Sequence, residues 1–441
     1  MIQEIFEAGV VGAGGAGFPS HIKFKTKADH LLINAAECEP LLYTDQMEME
    51  EHSEEIVAGV ELGMEILGAK EGKIAIKKHH EASIRALEKA LEGHPKIELV
   101  LMDSYYPAGD EHAIVFECLH QPLEPGALPS SLGAVVSNVT SIRNIYLASK
   151  GIPVTHKKVT VTGEVNSPVV LSVPIGTRIT ELIQRAGASK LEDYAVLLGG
   201  PMMGKMLLGK EIEEAVVTKT TGGILVLPLD HPLIVRRRQT PEQIRKQTAS
   251  ACIQCSFCTE LCPRYLKGHP LHPHQVMKAF GFNLPDHPNL PQASLCCECG
   301  ICELFSCPMG LSPRIVNQLV KKQLREEGAP KSEFQGQGLN PLEFIRRLPT
   351  ETLMRKIQVD KYDAYGKPPY ESMETSYVKI PLSQHIGKPA RPLVKEGDWV
   401  EVGQKIAGLE EGEMGANIHG SISGQVISVS DQWIEIKGGN Q

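Results

Sequence analysis

Eight of the eleven cysteines fall into two short runs. Each run has three cysteines separated by two residues and ends at a fourth cysteine that precedes a proline. Three thiols at this spacing wrap one tight turn around three iron corners of a cubane, and the Cys-Pro thiol reaches a fourth iron. The sequence therefore predicts electron transfer through two [4Fe-4S] clusters held by Cys252, Cys255, Cys258, Cys262, Cys296, Cys299, Cys302 and Cys307.

The two runs are predicted to share their ligands. In two-cluster modules of the ferredoxin type, the fourth cysteine of each run ligates the other cluster. The first cysteine set is therefore Cys252, Cys255, Cys258 and Cys307. The second cysteine set is Cys296, Cys299, Cys302 and Cys262. Zinc ribbons use pairs of Cys-x-x-Cys, and disulfides need an oxidising compartment, so the triplet spacing fits neither alternative.

The second run departs from the first at two places. Four residues separate its last two cysteines, where the first run has three. Cys297 also lies next to Cys296 and is an alternative ligand. The regular spacing favours Cys296 and leaves Cys297 as a spare thiol packed near the cluster.

Length, charge and apolar content indicate how many domains the chain has, which partners it lacks and where it is located. A chain of 441 residues is long enough for about three or four domains. Its net charge of -8 gives no basis for binding nucleic acid or an anionic membrane. The N-terminus lacks the basic and apolar segments of a secretory signal, and no apolar run approaches the roughly 20 residues that cross a bilayer. We expect a cytoplasmic protein without direct membrane insertion.

Periodicity and turn composition divide the chain into five parts. Residues 1–150 alternate helix and strand and are predicted to form an α/β domain. Residues 151–235 contain short strands around one helix, which indicates a β-grasp domain. Residues 236–330 are helical and hold both cysteine runs, and the polar stretch 331–376 is predicted to be a linker. Residues 377–441 are rich in Gly, Val and Ile, and predict an all-β module.

A glycine-rich segment, GAGGAGFP, occupies residues 12–19. Closely spaced glycines let backbone N–H groups approach a phosphate, and Lys23 is near enough to add a positive charge. The spacing is neither that of a P-loop nor that of a dinucleotide fingerprint, so this segment alone leaves ligand binding open.

Three further segments raise the case for a flavin: NAAECEP at 34–40, YPAGDE at 106–111 and SNVT at 137–140. Together with the glycine segment they resemble, in order, the motifs that line the flavin pocket in the FMN-bearing subunit of respiratory complex I. The resemblance implies that twelve residues hold FMN and admit NADH. They are Gly12, Gly14, Gly15, Gly17, Lys23, Asn34, Glu37, Tyr106, Gly109, Glu111, Asn138 and Thr140.

The sequence departs from that flavin-bearing protein at two points. Ala36 replaces the aspartate of its Asn-Ala-Asp-Glu motif, and the glycines that precede the tyrosine are absent before Tyr106. FMN binding tolerates these changes more readily than NADH binding does.

A second resemblance covers nearly the whole chain. The phrases AGVVGAGGAGFP, INAAECEP, YPAGDE, GGPMMG, TKTTGG, CTELCPR, CPMGLSPR and LSQHIG are similar to those of the cobalamin reductases of propanediol-utilisation operons. Similar parts occur in the C subunit of the Rnf complex, but there the barrel-sandwich-hybrid module precedes the flavin-like domain, whereas here it comes last. The module order therefore favours the cobalamin reductases.

The resemblance implies a flavin domain, an SLBB-like β-grasp domain, a two-cluster ferredoxin domain and a barrel-sandwich-hybrid module. It also implies an NADH-dependent reductase that uses FMN and two [4Fe-4S] clusters to reduce cob(II)alamin. A protein acceptor that docks on the chain is the alternative to the corrinoid. The alternative function is a non-enzymatic electron-transfer subunit of a larger membrane or amino-acid reductase complex. The resemblance also implies two further locations, a bacterial microcompartment and the periphery of a membrane complex.

The C-terminal module resembles lipoyl and biotinyl carrier domains, which present a lysine at a hairpin tip. Here the corresponding stretch, residues 411–416, reads EGEMGA and contains no lysine. We therefore expect a docking or interdomain packing role and no swinging arm.

Several other residues are given structural roles. We expect Cys38 to be a small buried apolar residue and the arginines at 236–238 to form a solvated face. His269, His272 and His274 suggest a metal site by composition, but a satisfied surface or capping role is favoured.

Overall fold

The computed structural model describes residues 1–15, 17–328, 333–363, 366–410 and 412–439. Ala16 of the glycine segment and Glu411 of the hairpin-tip stretch lie outside the described residues, as do parts of the predicted linker.

The N-terminal domain is built on a parallel sheet. Its strands are β1 (His30–Asn34), β2 (Glu71–Lys77), β3 (Ile97–Met102), the short β4 (Tyr105–Tyr106) and β5 (Ala134–Asn138). Its helices are α1 (Ile2–Glu7), α2 (Ser20–Lys23), α3 (Thr44–Leu67), α4 (Glu81–Ala90), α5 (Glu111–Leu119) and α6 (Val139–Ser149).

The sheet order β3-β2-β1-β5 places two predicted site residues side by side. Helices cover both faces of the sheet, which explains why its central strands are almost continuously apolar. Strands β1 and β5 pair in parallel, and the register sets Asn34 opposite Asn138 at their carboxyl ends. The edge of the sheet therefore presents two amide side chains to one place.

The second domain contains β6 (His156–Gly163), β7 (Val169–Pro174), α7 (Ile179–Arg185), β8 (Tyr194–Leu198), β9 (Lys205–Leu208), α8 (Lys210–Glu214) and β10 (Gly223–Pro228). One mixed sheet carries these strands, and α7 packs its buried Ile179, Leu182 and Ile183 against it. This is the β-grasp arrangement that the alternating strands predict.

The cysteine-bearing domain is helical. It contains α9 (Pro232–Arg237), α10 (Pro241–Ala251), α11 (Phe257–Glu260), α12 (Pro263–Leu266), α13 (Pro273–Gly281) and α14 (Pro313–Glu326), with a 3₁₀ turn at Leu290–Leu295 and a π-helical turn at Cys302–Ser306. Thr240 and Gln243 form a capping box at the start of α10, and this helix ends just before Cys252.

The stretch predicted to be a linker forms regular structure from Leu348 onward. It forms β11 (Leu348–Pro349), α15 (Thr350–Lys356), a 3₁₀ turn (Asp360–Tyr362) and β12 (Tyr370–Ser372). Strand β11 pairs with β4, and β12 pairs with β7 to extend the β-grasp sheet. Its buried apolar anchors, Leu353, Met354, Ile357 and Val359, form a short group within a largely polar stretch. This apolar group is too short to stand out from the polar and proline-containing residues around it, which is why the sequence reads as a spacer.

The C-terminal module is a sandwich of two antiparallel sheets. Its strands are β13 (Tyr377–Pro381), β14 (Arg391–Pro392), β15 (Trp399–Val400), β16 (Lys405–Gly408), β17 (Ile418–His419), β18 (Gly424–Val429) and β19 (Trp433–Gly438). The sheet β13-β19-β18-β15 faces the sheet β14-β16-β17 across an apolar core. The fold class predicted from the sequence is confirmed. None of the described helices has both the length and the apolar composition needed to cross a bilayer.

Candidate functional site

A cavity of about 610 Å³ lies at the carboxyl edge of the parallel sheet. Its volume falls in the range of about 300–1,000 Å³ that is usual for small-molecule sites. Apolar side chains, among them Phe18, Ile22 and Leu128, form much of its wall. Seven of the twelve residues predicted to bind the flavin also line it: Gly12, Gly14, Lys23, Asn34, Gly109, Glu111 and Asn138.

Two asparagines organise the floor of the cavity. The Asn34 side chain donates to the Gly109 carbonyl at 2.8 Å and accepts from the Ala36 amide at 3.1 Å. A Cβ on Gly109 would lie 2.5 Å from the Ala36 carbonyl oxygen, so only glycine fits there. Asn138 caps α6 by accepting from the Thr140 amide at 3.0 Å.

Hydrogen bonds to neighbouring elements anchor the glycine segment at Ala13 and leave the next two amides available to a ligand. The Ala13 amide donates to Ser141 Oγ at 2.8 Å, and Lys157 Nζ donates to the Ala13 carbonyl at 3.1 Å. Within the described part of the chain, the amides of Gly14 and Gly15 have no hydrogen-bond partner. Gly15 has a φ of +115° and open space around its Cβ position. This backbone suits a phosphate, and the capped N-terminus of α6 lies beside it, since a Cβ on Gly14 would be 3.5 Å from Asn138.

Lys23 supplies the positive charge at the cavity wall. Its Nζ lies 2.9 Å from the Val136 carbonyl oxygen and 3.7 Å from Glu111 Oε1. The residues present therefore fit FMN: amides and a lysine for its phosphate, and an apolar cavity for its ring.

Five residues predicted to bind the flavin do not line the cavity. Thr140 donates to the buried Asp45 at 3.2 Å, and the Glu37 backbone carbonyl accepts from Lys77 at 2.5 Å. The other three are Gly15, Gly17 and Tyr106. Their contact with the flavin stays a prediction.

Buried charges support the cavity from beneath. Desolvation raises the pKa of Asp45 to about 7, and neighbouring Glu37 contributes to this rise while Lys157 opposes it. Desolvation also lowers the pKa of Lys157, which reaches under the glycine segment from strand β6 of the β-grasp domain. Nothing in the sequence around Lys157 distinguishes it from a solvent-facing strand lysine.

The YPAGDE segment connects the cavity to the cysteine domain. Gly109 and Glu111 line the cavity, whereas the buried Tyr106 donates from its hydroxyl to the Cys299 carbonyl oxygen at 2.7 Å. Asp110 and Arg264 form a two-pronged ion pair with N···O distances of 2.5 and 2.9 Å. Although burial opposes ionisation, the Arg264 guanidinium lowers the pKa of Asp110 to about 2.

The structure brings each cysteine set together. The first set lines one small pocket, with Cys307 completing the group from the second run. In the second set, burial raises the pKa of the Cys302 thiol, and the neighbouring Cys296 and Cys262 raise it further. The amides of Glu298 and Leu311 donate to the sulfurs of Cys296 and Cys307 at 3.3 and 3.4 Å. Such bonds tune cluster potentials. The ligand sets stay predictions.

Backbone conformation bears on the choice between the two adjacent cysteines. In the first run, Gln254 and Ser256 have positive φ values of 54° and 62°. In the second run, Glu298 and Gly300 have 63° and 86°. Aligning these pairs sets Cys296 opposite Cys252. Under this alignment, Cys297 occupies a position that holds no predicted ligand in the first run.

The π-helical turn accounts for the uneven spacing of the second run. Between Cys258 and Cys262 the chain forms the α-helical α11, whereas Cys302–Ser306 is π-helical. A π turn takes one more residue than an α turn. It therefore absorbs the extra residue and leaves Cys307 beside the first set.

Two expectations about basic residues change. His269 is buried, its Nε2 donates to the Leu123 carbonyl oxygen at 3.0 Å, and its ring packs 5.0 Å from that of His112. Within the described ranges, no group of three or more His, Cys, Asp or Glu residues is arranged to hold a single metal ion. The expectation of a solvated arginine face is wrong, because Arg237 donates to the Pro201 and Met202 carbonyls at 2.7 and 3.0 Å.

Glu39 is a residue that motif reasoning passed over. Its two carboxylate oxygens accept from the Met202 and Met203 amides at 2.8 and 2.6 Å, so it ties the NAAECEP segment to the GGPMMG loop. Desolvation raises the pKa of Glu39 to about 7. The one sequence signal for Glu39 is that INAAECEP and GGPMMG are both among the phrases similar to those of the cobalamin reductases.

Comparison with known families matches every domain. Residues 5–147 match the Nuo51 FMN-binding domain, 158–205 the SLBB domain, 251–312 the 4Fe-4S dicluster domain, and 360–440 the RnfC barrel sandwich hybrid domain. The fold and the site thus define an oxidoreductase that carries FMN and [4Fe-4S] clusters.

Individual relatives show to which family within this class the chain belongs. Cobalamin reductase PduS of Salmonella typhimurium is 40% identical over 98% of this chain and 95% of its own length, and that of Citrobacter freundii is 38% identical over the same shares. The chain belongs to the PduS family. The C subunit of the proton-translocating ferredoxin:NAD(+) oxidoreductase complex of Clostridium ljungdahlii is 34% identical over 60% of this chain and 56% of its own length.

Proposed function

We propose that this protein transfers electrons from NADH to cob(II)alamin and so forms cob(I)alamin. Two PduS cobalamin reductases that match it over 95% of their length support the acceptor. When bound, FMN accepts a hydride and releases its two electrons singly, and each cluster carries one electron at a time.

The chain's own residues hold these groups in the proposal. The amides of the glycine segment, the N-terminus of α6 and Lys23 bind the FMN phosphate, and the apolar cavity wall excludes water from the ring. The two cysteine sets bind the clusters.

The observation that carries the proposal is the contact between Tyr106 and Cys299. It joins the segment that lines the cavity to a cysteine of the second set without intervening solvent. The first set lies elsewhere, next to exposed apolar side chains: Ile253 is 63% exposed, Phe257 53% and Met309 45%. In the proposal, the second cysteine set receives electrons from the flavin side and the first set releases them.

Anaerobically purified protein tests this function. We expect one FMN and about eight iron atoms per chain, and NADH oxidation that depends on added cob(II)alamin. Iron without any flavin overturns the enzyme assignment. Replacing cob(II)alamin with cob(III)alamin or a one-electron dye separates the acceptor from the general reductase activity.

The apolar residues beside the first cysteine set favour a second candidate, in which the acceptor is a docked protein. Under it the chain is an electron-transfer subunit of a larger complex, located in a bacterial microcompartment or at the periphery of a membrane. Ile253→Ser and Phe257→Ser then slow transfer to the protein acceptor and leave reduction of a small dye unchanged. If the isolated chain turns over NADH and cob(II)alamin at catalytic rates, this candidate fails.

A further inference from the structure

The C-terminal module contributes a side chain to the flavin cavity. Ile386 lies in the loop between β13 and β14, within the phrase LSQHIG, and lines the cavity beside residues of the N-terminal domain. It leaves 46% of its surface exposed. A large apolar side chain at the mouth of a cavity gains its burial from whatever fills the cavity.

The backbone beside Ile386 holds one end of the glycine segment. The Ile386 amide donates to the Gly17 carbonyl at 3.1 Å. A Cβ on Gly17 would lie 3.2 Å from His385 Cα and 3.3 Å from the Gln384 carbonyl oxygen. The two segments are therefore in direct backbone contact, and Gly17 serves this contact.

Lys219, in the phrase TKTTGG, holds the other end. Its buried Nζ donates to the Gly9 and Asn417 carbonyls, both at 2.7 Å. Its backbone amide donates to Gln384 Oε1 at 2.9 Å. One lysine of the β-grasp domain thus joins the start of the glycine segment to Asn417 and Gln384 of the C-terminal module.

The two contacts bracket the phosphate-binding glycines. Gly9 precedes Gly12 by three residues, and Gly17 follows Gly15 by two. Between them the amides of Gly14 and Gly15 have no partner in the described structure. Fixing both ends limits the conformations open to the segment, which lowers the entropy lost when a ligand binds.

We propose that the C-terminal module is part of the FMN site: Ile386 closes the cavity over bound FMN, and the contacts at Gly9 and Gly17 hold the glycine segment ready for the phosphate. This inference rests on the proposed function, because it requires FMN in this cavity. It gives the module a role in cofactor binding where the carrier-like sequence predicted docking or packing.

FMN titration of the flavin-free full chain, followed by flavin fluorescence under anaerobic conditions, tests the proposal. We expect Ile386→Ser to weaken FMN binding by up to about tenfold, because FMN would cover the 46% of the Ile386 surface that is exposed in the free chain. Lys219→Met is also expected to weaken FMN binding. Ile427→Ser is the matched control, because Ile427 is 41% exposed on β18 of the same module and does not line the cavity.

Hydrogen exchange on the wild-type chain gives a readout that needs no variant. FMN is expected to slow exchange at residues 383–388 as well as at the glycine segment, and to leave 424–429 unchanged. Tight FMN binding by Ile386→Ser, with unchanged exchange at 383–388, overturns the inference and leaves the proposed function standing. A wild-type chain that binds no FMN overturns the proposed function itself.

Discussion

The Tyr106 hydroxyl donates a 2.7 Å hydrogen bond to the carbonyl oxygen of Cys299, and both residues are buried. This bond joins the flavin domain to the backbone of a predicted cluster ligand. Replacing Tyr106 with phenylalanine keeps the ring and leaves the carbonyl oxygen without its donor. A buried polar group left unpaired costs about 1–3 kcal/mol.

We therefore expect Tyr106→Phe to retain FMN and iron but to slow cluster reduction by NADH, as followed by stopped-flow absorbance. Tyr105→Phe is the control, because the Tyr105 hydroxyl donates to Glu117 at 2.9 Å, away from both cysteine sets. Equal cluster reduction rates in both variants would contradict a positioning role for Tyr106.

The ion pair of Asp110 and Arg264 is expected to set the potential of the cluster beside it. Arg264 also interacts electrostatically with Cys297 and Cys299. Arg264→Gln removes a positive charge that favours the reduced cluster, so its midpoint potential should fall on the order of 50 mV. Asp110→Asn should raise it. Redox titration followed by electron paramagnetic resonance measures both.

Opposite shifts distinguish this charge effect from general disruption, which would move both variants in the same direction. Lys322→Gln is the control, since Lys322 is 70% exposed on α14. Removing one partner of a buried pair also costs about 3–5 kcal/mol, so both variants should unfold at lower temperature than the wild type.

The backbone alignment of the two runs predicts which adjacent cysteine is a ligand. Cys296→Ser should lose iron and the spectral signal of one cluster, because its position matches that of Cys252. Cys297→Ser should keep about eight iron atoms per chain. Anaerobic iron analysis decides the point, and the reverse result would assign Cys297 as the ligand.

Asp45 predicts a pH dependence of stability. Burial raises its pKa from 3.8 to about 7 in the folded protein. The folded state then holds this proton more tightly than the unfolded state, so the contribution of Asp45 is complete below about pH 4 and is lost as pH rises through about 7.

Asp45→Asn mimics the protonated form and removes this dependence. Between about pH 4 and 7, the window between the unfolded and folded pKa values of Asp45, the melting temperature of the wild type should fall relative to that of the variant. The exposed Asp431→Asn is the control. A difference in melting temperature that does not change with pH would show that Asp45 titrates normally.

The sequence predicts those helices and strands whose apolar residues recur at a regular period. The apolar spacing of residues 81–91 predicts a helix, which is α4, and that of residues 73–77 predicts a short buried strand, which lies within β2. Both follow from apolar residues at a fixed period, which depends on neighbours in sequence. Strand β11 has no such period, because its two residues are strand only by pairing with β4.

The site likewise contains residues that local sequence patterns identify and residues that only domain packing brings into place. Cysteine and glycine spacing identifies residues whose chemistry depends on their immediate neighbours. The contacts of Lys157, Lys219 and Ile386 arise where three domains meet. TKTTGG and LSQHIG are shared phrases, but no period or ligand spacing marks these three residues, since each is an ordinary strand or loop residue until the domains pack together.

The position of Ile386 late in the chain orders the assembly of the protein. A nascent chain that has emerged through α14 contains all eight cysteines predicted to bind the clusters and the glycine segment. It still lacks Leu348, which pairs with Tyr106, and Ile386, which forms the last wall of the cavity. The predicted cluster ligands are thus all present before the C-terminal module is made, whereas the flavin cavity is complete only after that module has packed onto the first domain.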